Sequence, residues 1–390
     1  SRLVRLRRGP VLDIYRIDCV PIAMHVSLLT IAGEEVVRFH AEPTWTLADV
    51  LLEVCACSCR ALPYRPRVFH GRLELLPGLS LVDAGVSDGA QLTLVKDPPW
   101  RMISASADGS ARIWDTSSGE CLRTLVGHRD SLRMAVVSPD RTMVLTASDD
   151  RTARIWSTDS GKCLRTLEGH ASEVNSAVFS PDSTMALTAS VDRTARIWSI
   201  GSGECLRTLR GHRSGLMSAA FSPDGKLILT ASDDHCARIW SADSGECLRR
   251  LRGHEHAVTS AVFSPDGRLA LTASEDLTAK IWSIGSGECL HTFDDHRWDV
   301  MSAIFSLDGK VALTASSDRT AKIWSADSQE CLRTLAGHEA PVHSAEFSPD
   351  GLLVLTSSED GTARFWNPDT GECLRVLHIA GLYRAAFASL

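Results

Sequence analysis

From about residue 101 onward, apolar and polar positions alternate over short stretches, as along residues 174–178 and 185–189. A period of two predicts β-strands rather than helices. Ser-Pro-Asp, Val-Asp-Arg and Gly-Ser-Gly-Glu separate these stretches, and all three supply residues that favour turns. The pattern therefore predicts units of four short strands joined by tight turns.

The units recur every 42 residues along this part of the chain. The spacing is set out most clearly by seven tryptophans, Trp114, Trp156, Trp198, Trp240, Trp282, Trp324 and Trp366. Seven Asp, seven Cys and six His keep the same interval. A four-stranded unit of this length resembles the WD-repeat family of β-propellers, and the resemblance covers residues 101–390. Among the seven periodic tryptophans only Trp114 is followed by Asp, and Asp295 stands where five units have Gly before His.

Seven units imply a mainly β protein with a seven-bladed propeller. The phase of the repeat also predicts how the ring closes. Residues 101–104 align with the second strand of a unit, whereas residues 381–387 align with a first strand. We therefore expect the C-terminal strand to complete the N-terminal blade, which removes the two sheet edges that the incomplete end units would otherwise expose.

The periodic His, Asp and Trp residues invite a catalytic interpretation, but their recurrence in nearly every unit favours a structural one. The resemblance implies a hydrogen-bonded chain inside each blade, in which Thr188 or Ser190 joins His170, Asp192 and Trp198. The seven periodic Cys are predicted to be packing residues, because equivalent positions on separate blades are too far apart for disulfides. We find no nucleophile with a base, no phosphate loop and no metal-binding motif, and predict no catalytic residue, metal or cofactor and no enzymatic activity.

Residues 24–97 lack the repeat. Their pattern predicts two strands, a helix from Thr46 to about Cys57, and three further strands. This order resembles ubiquitin, a β-grasp fold of the α+β class. The resemblance implies an exposed apolar patch at Ile31, Val68 and Val95 that binds ubiquitin-pathway receptors, or that packs on the propeller instead. The predicted domains are a basic segment at 1–23, the ubiquitin-like domain at 24–97 and the propeller at 98–390.

Positions that vary between near-identical units are not dictated by the blade. Two such series fall just before the turn Asp and around the start of the first strand, and the resemblance places them at one mouth of the central channel, the family's usual peptide-binding face. Many residues at these variable positions are acidic or apolar, which predicts that the face binds a basic partner peptide. The alternative is that the variation is neutral and the positions have no partner. The predicted contact residues are Asp149, Glu173, Met217, Asp233, Glu275, Trp298, Asp299, Met301, His343, Glu359 and Tyr383.

The whole-chain composition narrows the classes of partner. A formal net charge of −7 gives no support for binding nucleic acid through phosphate contacts. No stretch approaches the roughly 18 consecutive apolar residues of a membrane span, and the start of the chain lacks a secretory h-region. We expect a cytoplasmic or nuclear, non-enzymatic scaffold or adaptor for protein partners, monomeric or within a hetero-complex. The alternative is a substrate-recognition subunit in ubiquitin-dependent protein turnover.

Overall fold

A computed structural model of the chain describes residues 24–30, 35–42, 44–45, 67–70, 73–74, 80–83, 85–87, 90–95, 101–116 and 118–388. The chain divides into two compact units, residues 1–99 and residues 100–390. The finer boundaries at residues 23 and 97 stay predictions. The described residues contain no helix that is long and apolar enough to cross a membrane.

The first unit contains a five-stranded sheet. Its strands are β1 (Met24–Thr30), β2 (Glu35–Ala41), β3 (Arg67–His70), β4 (Leu73–Glu74) and β5 (Ala90–Val95). Their order across the sheet is β2-β1-β5-β3-β4, and only the central β1–β5 pair among these described strands is parallel. Val26, Ala41, Leu81 and Leu92 are buried in its core. The predicted helix at residues 46–57 lies outside the described residues.

The second unit consists of seven four-stranded antiparallel sheets, named blades 1 to 7. Blade 1 contains β33 (Leu382–Ala388), β6 (Arg101–Ser106), β7 (Ser110–Asp115) and β8 (Cys121–Val126). Blade 2 contains β9 (Leu132–Val137), β10 (Met143–Ser148), β11 (Ala153–Ser157) and β12 (Cys163–Leu167), and blade 3 contains β13 (Val174–Phe179), β14 (Met185–Ser190), β15 (Thr194–Ser199) and β16 (Cys205–Arg210).

The remaining blades keep the same order of strands. Blade 4 contains β17 (Leu216–Phe221), β18 (Leu227–Ser232), β19 (Cys236–Ser241) and β20 (Cys247–Arg252), and blade 5 contains β21 (Val258–Phe263), β22 (Leu269–Ser274), β23 (Ala279–Ser283) and β24 (Cys289–Phe293). Blade 6 contains β25 (Val300–Phe305), β26 (Val311–Ser316), β27 (Thr320–Ser325) and β28 (Cys331–Ala336), and blade 7 contains β29 (Val342–Phe347), β30 (Val354–Ser358), β31 (Thr362–Trp366) and β32 (Cys373–His378).

The first strands of neighbouring blades contact each other all the way round, so they surround the centre of a closed ring. The C-terminal strand β33 completes this circle, because it contacts the first strands of blades 7 and 2. It also pairs antiparallel with β6, with Phe387 opposite Met102. The closure predicted from the phase of the repeat is therefore confirmed, and the chain forms a seven-bladed β-propeller.

The hydrophobic core lies between blades rather than within them. In one cluster, Leu187 and Ile197 of blade 3 pack with Leu216, Ile228 and Trp240 of blade 4, and all five are at most 2% exposed. Equivalent clusters join the other neighbouring blades. Each blade thus depends on its neighbours for burial, as in other repeat proteins.

Six of the seven periodic cysteines are exposed, so the prediction that they are packing residues is wrong for these six; Cys331 alone among them packs against the cluster between blades 5 and 6. Cys121, Cys163, Cys205, Cys247, Cys289 and Cys373 are exposed, and Cys331 is partly exposed. The fourth strand has a neighbour on one side only, and its burial begins late, as at Leu209 in β16. A regular position in the repeat therefore did not imply a buried one.

Candidate functional site

Blades 2 to 7 each contain the same internal chain of hydrogen bonds. Its members in blade 3 are His170, Thr188, Asp192 and Trp198. Across the six blades, the His Nδ1 lies 2.7–3.0 Å from the Asp carboxylate. The His Nε2 lies 2.7–2.8 Å from a Thr hydroxyl, which accepts a bond from the Trp Nε1 at 2.8–2.9 Å. The sequence did not decide whether Thr188 or Ser190 supplies the hydroxyl of this chain in blade 3, and in the structure it is Thr188.

The Asp of this chain is held in its ionised form. Burial alone raises the pKa of Asp192, but hydrogen bonds from His170, Thr194 and the N–H of Ala171 outweigh burial and leave the pKa well below its usual range. An ionised carboxylate can only accept, so the His170 Nδ1 carries a hydrogen. The polar side-chain groups of this hydrogen-bonded chain therefore all have partners within the blade. This suits a rigid structural element and leaves none of these groups available to bind a substrate.

Blade 1 departs from this arrangement. Its Trp114 donates to Ser104 at 2.8 Å, and its Asp108 bonds to Ser110 and Arg112. His378, which lies near the expected position of the missing His, is exposed at the end of β32. The polar chain of blade 1 is therefore shorter than in the other six blades.

The two variable series of positions meet on one face of the propeller, here called the rim face. It is formed by the loops before the first strands and the turns between the second and third strands. A backbone N–H from the turn donates to a loop carbonyl in every blade, at 2.9–3.1 Å, as from Glu275 to Ala257 and from Ser317 to Asp299. Because this bond recurs seven times, the predicted contact residues lie side by side around the ring.

One half of the rim face is already paired internally. Arg133 of blade 2 bonds to Asp149 at 2.7 Å and to the Tyr383 hydroxyl of blade 1 at 3.2 Å. His343 of blade 7 stacks on the Tyr383 ring at 5.0 Å and bonds to Glu359 at 2.9 Å. Asp149 and Glu359 therefore have cationic or hydrogen-bonding partners within the protein. Arg133 is the key residue that sequence reasoning did not select, although it belongs to a variable series.

The opposite half of the rim face carries unneutralised negative charge. Burial raises the pKa of Glu275, and the nearby charges of Asp299 and Asp233 raise it further, against smaller opposing effects of His256 and His235. Asp233 accepts a bond from the Ser214 hydroxyl, and the described residues provide none of these three carboxylates with an ion pair within 4 Å. Trp298, beside Asp299, is 64% exposed. This half thus presents clustered carboxylates next to an exposed aromatic side chain.

The other predicted contact residues are Glu173 in blade 3, Met217 in blade 4 and Met301 in blade 6. Glu173 bonds to the neighbouring Ser172 hydroxyl, and this bond lowers the pKa of Glu173. Met217 and Met301 are half-buried at the starts of β17 and β25, and Met217 receives a contact from the Asn175 amide. They are apolar positions that a partner could still reach.

Inside the ring, Glu346 breaks the apolar pattern of the first strands, and Arg384 stands where five blades have Ser. Glu346 stands where Val178 and Val262 stand in blades 3 and 5, and it is half-buried in β29. Its carboxylate accepts the N–H of Phe387 at 3.1 Å. Burial raises the pKa of Glu346 to about 7, against the opposing effects of this bond and of Arg384. A titrating group therefore lies beside the strand that closes the ring.

We then compared the chain with known protein families. The family model described as "WD domain, G-beta repeat" matches residues 119–157, 161–199, 203–241, 245–283, 287–325 and 329–367, which together make up more than half of the chain. The chain belongs to the WD40 repeat family. Each match begins near a fourth strand and ends with the third strand of the next blade, so the six matches cover the fourth strand of blade 1, all of blades 2 to 6 and the first three strands of blade 7. Blade 1 is completed only by β33.

WD40 propellers are typically non-enzymatic scaffolds for protein interaction, and this WD40 propeller fits that general role. Within the described residues, no group of three or more His, Cys, Asp or Glu side chains is placed to hold a metal ion. The closely spaced Cys55, Cys57 and Cys59 lie outside the described residues, as does Ile31. In the register of β3 and β5, Val68 lies opposite Leu94 and Val95 lies opposite Arg67, and the apolar patch stays a prediction.

Proposed function

We propose that this WD40 propeller is an adaptor that binds a basic peptide of a protein partner on the acidic half of its rim face. The observation that supports the proposal is the group formed by Asp233, Glu275 and Asp299. Their mutual repulsion, added to burial, raises the pKa of Glu275. A Lys or Arg side chain placed among them relieves that repulsion, which favours binding of a cationic partner over an anionic one.

Trp298 supplies the apolar part of the same site. A large aromatic side chain that is 64% exposed gains burial when a partner covers it. Trp is also among the residues that most often dominate binding energy at protein interfaces. The proposed peptide therefore places a basic residue among the carboxylates and an apolar segment on Trp298.

The test uses an array of peptides that differ only in whether they contain Lys or Arg. Wild-type protein is expected to bind the basic members selectively. Glu275→Lys is expected to weaken binding by about ten-fold or more, because it replaces attraction with repulsion within the group of carboxylates. Trp298→Ala is expected to weaken binding comparably through lost apolar burial.

Two matched variants on the opposite face serve as controls. Glu330→Lys makes the same charge change in the exposed turn before β28, and Leu307→Ala truncates a side chain that is 75% exposed. Both should bind as the wild type does. If Glu275→Lys and Trp298→Ala retain every peptide that the wild type binds, the assignment of this half of the rim face is wrong.

A second candidate function concerns the N-terminal unit. The order β2-β1-β5-β3-β4 with a parallel β1–β5 pair is compatible with a ubiquitin-like fold, which supports a role in recruiting ubiquitin-pathway receptors. In that role the whole chain is a substrate-recognition subunit in ubiquitin-dependent turnover. The full chain should then be retained on immobilised proteasomal ubiquitin receptors, whereas residues 98–390 alone should not. If neither the full chain nor residues 98–390 are retained on the immobilised receptors, this second candidate function is contradicted.

A further inference from the structure

Blade 4 differs from the other blades at two neighbouring positions. Cys236 in β19 stands where five blades have Thr, namely Thr152, Thr194, Thr278, Thr320 and Thr362. Arg250 in β20 stands where another set of five blades has Thr, namely Thr124, Thr166, Thr208, Thr292 and Thr334. Since the other blades fold without them, the architecture of a blade does not require Cys236 or Arg250.

The two residues lie together in a cationic pocket of about 410 Å³. Its lining consists of Arg213, His235, Cys236, Arg250, Arg252, Gly253 and His254. Arg213, Arg252 and His235 are exposed at its edge, whereas Cys236 is buried. Among these lining residues, all within the described part of the chain, there are three arginines and no carboxylate.

Arg250 is held in the pocket without full satisfaction of its guanidinium. Its Nη2 donates to the Cys236 sulfur at 3.6 Å, which is a weak acceptor. Its Nε is buried and has no hydrogen-bond partner. Arg154, Arg196 and Arg238 share an unpartnered Nε, but all three lie at the equivalent position of a third strand. Arg250 is thus a fourth-strand arginine that offers donors to a group not belonging to the blade.

The surrounding charges leave the pocket positive. The β19–β20 register places Arg250 directly opposite Arg238, whereas in blade 3 Thr208 faces Arg196. Like charges opposite each other on neighbouring strands are destabilising. Two carboxylates beside the pocket are already paired. Asp234 lies 3.8 Å from Arg238 and is bonded to His212 and to the N–H of Arg213, and Asp276 is bonded to His254 at 2.7 Å. The pocket therefore has an excess of cationic groups that an anion would neutralise.

We propose that this pocket binds a phosphate group through Arg213, Arg250 and Arg252. The planar guanidinium presents paired N–H donors that match the oxygens of a phosphate, and bonds between two charged groups are about twice as strong as neutral ones. Either a phosphorylated side chain of a protein partner or a small free phosphate compound supplies this chemistry. The pocket adjoins the acidic half of the rim face, because Arg213 precedes Ser214 and His235 lies two residues after Asp233. The proposal does not depend on the function proposed for that half.

The test measures binding of inorganic phosphate and of a phosphoserine peptide to the full chain by calorimetry, in chloride buffers of matched ionic strength. Arg250→Thr introduces the residue that five other blades carry, so it is expected to fold. It should weaken binding of the preferred probe by about ten-fold or more, because one charge-assisted contact is lost. Arg210→Ala, at the position of blade 3 that corresponds to Arg252, is the matched control and should bind as the wild type does.

The two probes also separate the sources of the phosphate. A phosphoserine peptide that binds at least about ten-fold more tightly than inorganic phosphate assigns the pocket to a phosphorylated partner, and equal affinities assign it to a free phosphate compound. The unphosphorylated peptide should not bind to the pocket. If neither probe binds the wild type, or if wild type and Arg250→Thr bind both probes alike, the proposal is overturned. That result would leave the basic-peptide site on the rim face untouched.

Discussion

The hydroxyl of Thr188 is the centre of the polar chain in blade 3, and its removal tests whether that chain stabilises the propeller. The hydroxyl lies 2.7 Å from the His170 Nε2 and 2.8 Å from the Trp198 Nε1. Thr188 is fully buried. Thr188→Val keeps the shape of the side chain but leaves the Trp198 donor and the His170 ring nitrogen without a partner.

The expected cost follows from those two groups. A buried polar group that loses its partner destabilises a protein by about 1–3 kcal/mol, so Thr188→Val should cost about 2–5 kcal/mol. Thr188→Ser keeps the hydroxyl and loses one methyl group, which costs about 1 kcal/mol. Blade 1 provides an internal comparison, since its Ser104 hydroxyl accepts a bond from Trp114 and the structure records no His beside it. Ser104→Ala should therefore cost about 1–3 kcal/mol, less than Thr188→Val.

The free energy of unfolding can be measured by urea denaturation monitored through Trp fluorescence. Hydrogen exchange of the β14 and β15 amides in the native state reports the local effect in blade 3. The expected order of stability is wild type, Thr188→Ser, Ser104→Ala and then Thr188→Val. If Thr188→Val and Thr188→Ser differ by less than about 0.5 kcal/mol, the polar chain does not stabilise the blade as reasoned here.

Two further predictions concern the closure of the ring. Burial favours neutral Glu346, whose pKa is raised to about 7, so its contribution to stability is complete below about pH 4.5 and is lost as the pH rises towards and beyond 7. Glu346→Gln keeps an acceptor for the Phe387 N–H. It should raise the free energy of unfolding by about 1–2 kcal/mol at pH 8 and by little at pH 4.5. The expected gain is below the upper limit of roughly 3 kcal/mol that the pKa shift implies, because Arg384 and solvent screen the charge. Urea titrations at both pH values check this, and an equal difference at both would contradict it. Deletion of residues 379–390 removes buried Ile379, Leu382 and Phe387, and uncovers Met102. It should cost at least about 5 kcal/mol, and an unchanged melting midpoint would refute the role of the C-terminal strand.

Much of the propeller could be predicted from the sequence because its rules are local and repeated. The alternation of apolar residues predicted the strands, the interval of 42 residues predicted the number of blades, and the phase of the last unit predicted the pairing of β33 with β6. The choice between Thr188 and Ser190 needed the structure. Ser190 instead donates to the carbonyl of Ser172 and accepts from the N–H of Asp192.

The charge state of the rim face was decided by tertiary contacts. Sequence reasoning treated Asp149 and Asp233 as equivalent acidic positions, but Arg133 pairs with Asp149. Tyr383 reaches the same Arg133 from the other end of the chain, 250 residues away. Spacing along the chain carries no information about such pairs, because blades 7, 1 and 2 become neighbours only when the ring closes.

The strands of a blade can be predicted from the sequence, whereas the contacts between side chains of different blades cannot. Hydrophobic periodicity depends on neighbouring residues, so it survives in the sequence alone and predicts strands and turns. Burial of a strand and neutralisation of a charge depend on what packs beside it. The exposed cysteines of the fourth strands, the unneutralised carboxylates around Glu275 and the arginines around Cys236 could therefore be recognised only in the folded propeller.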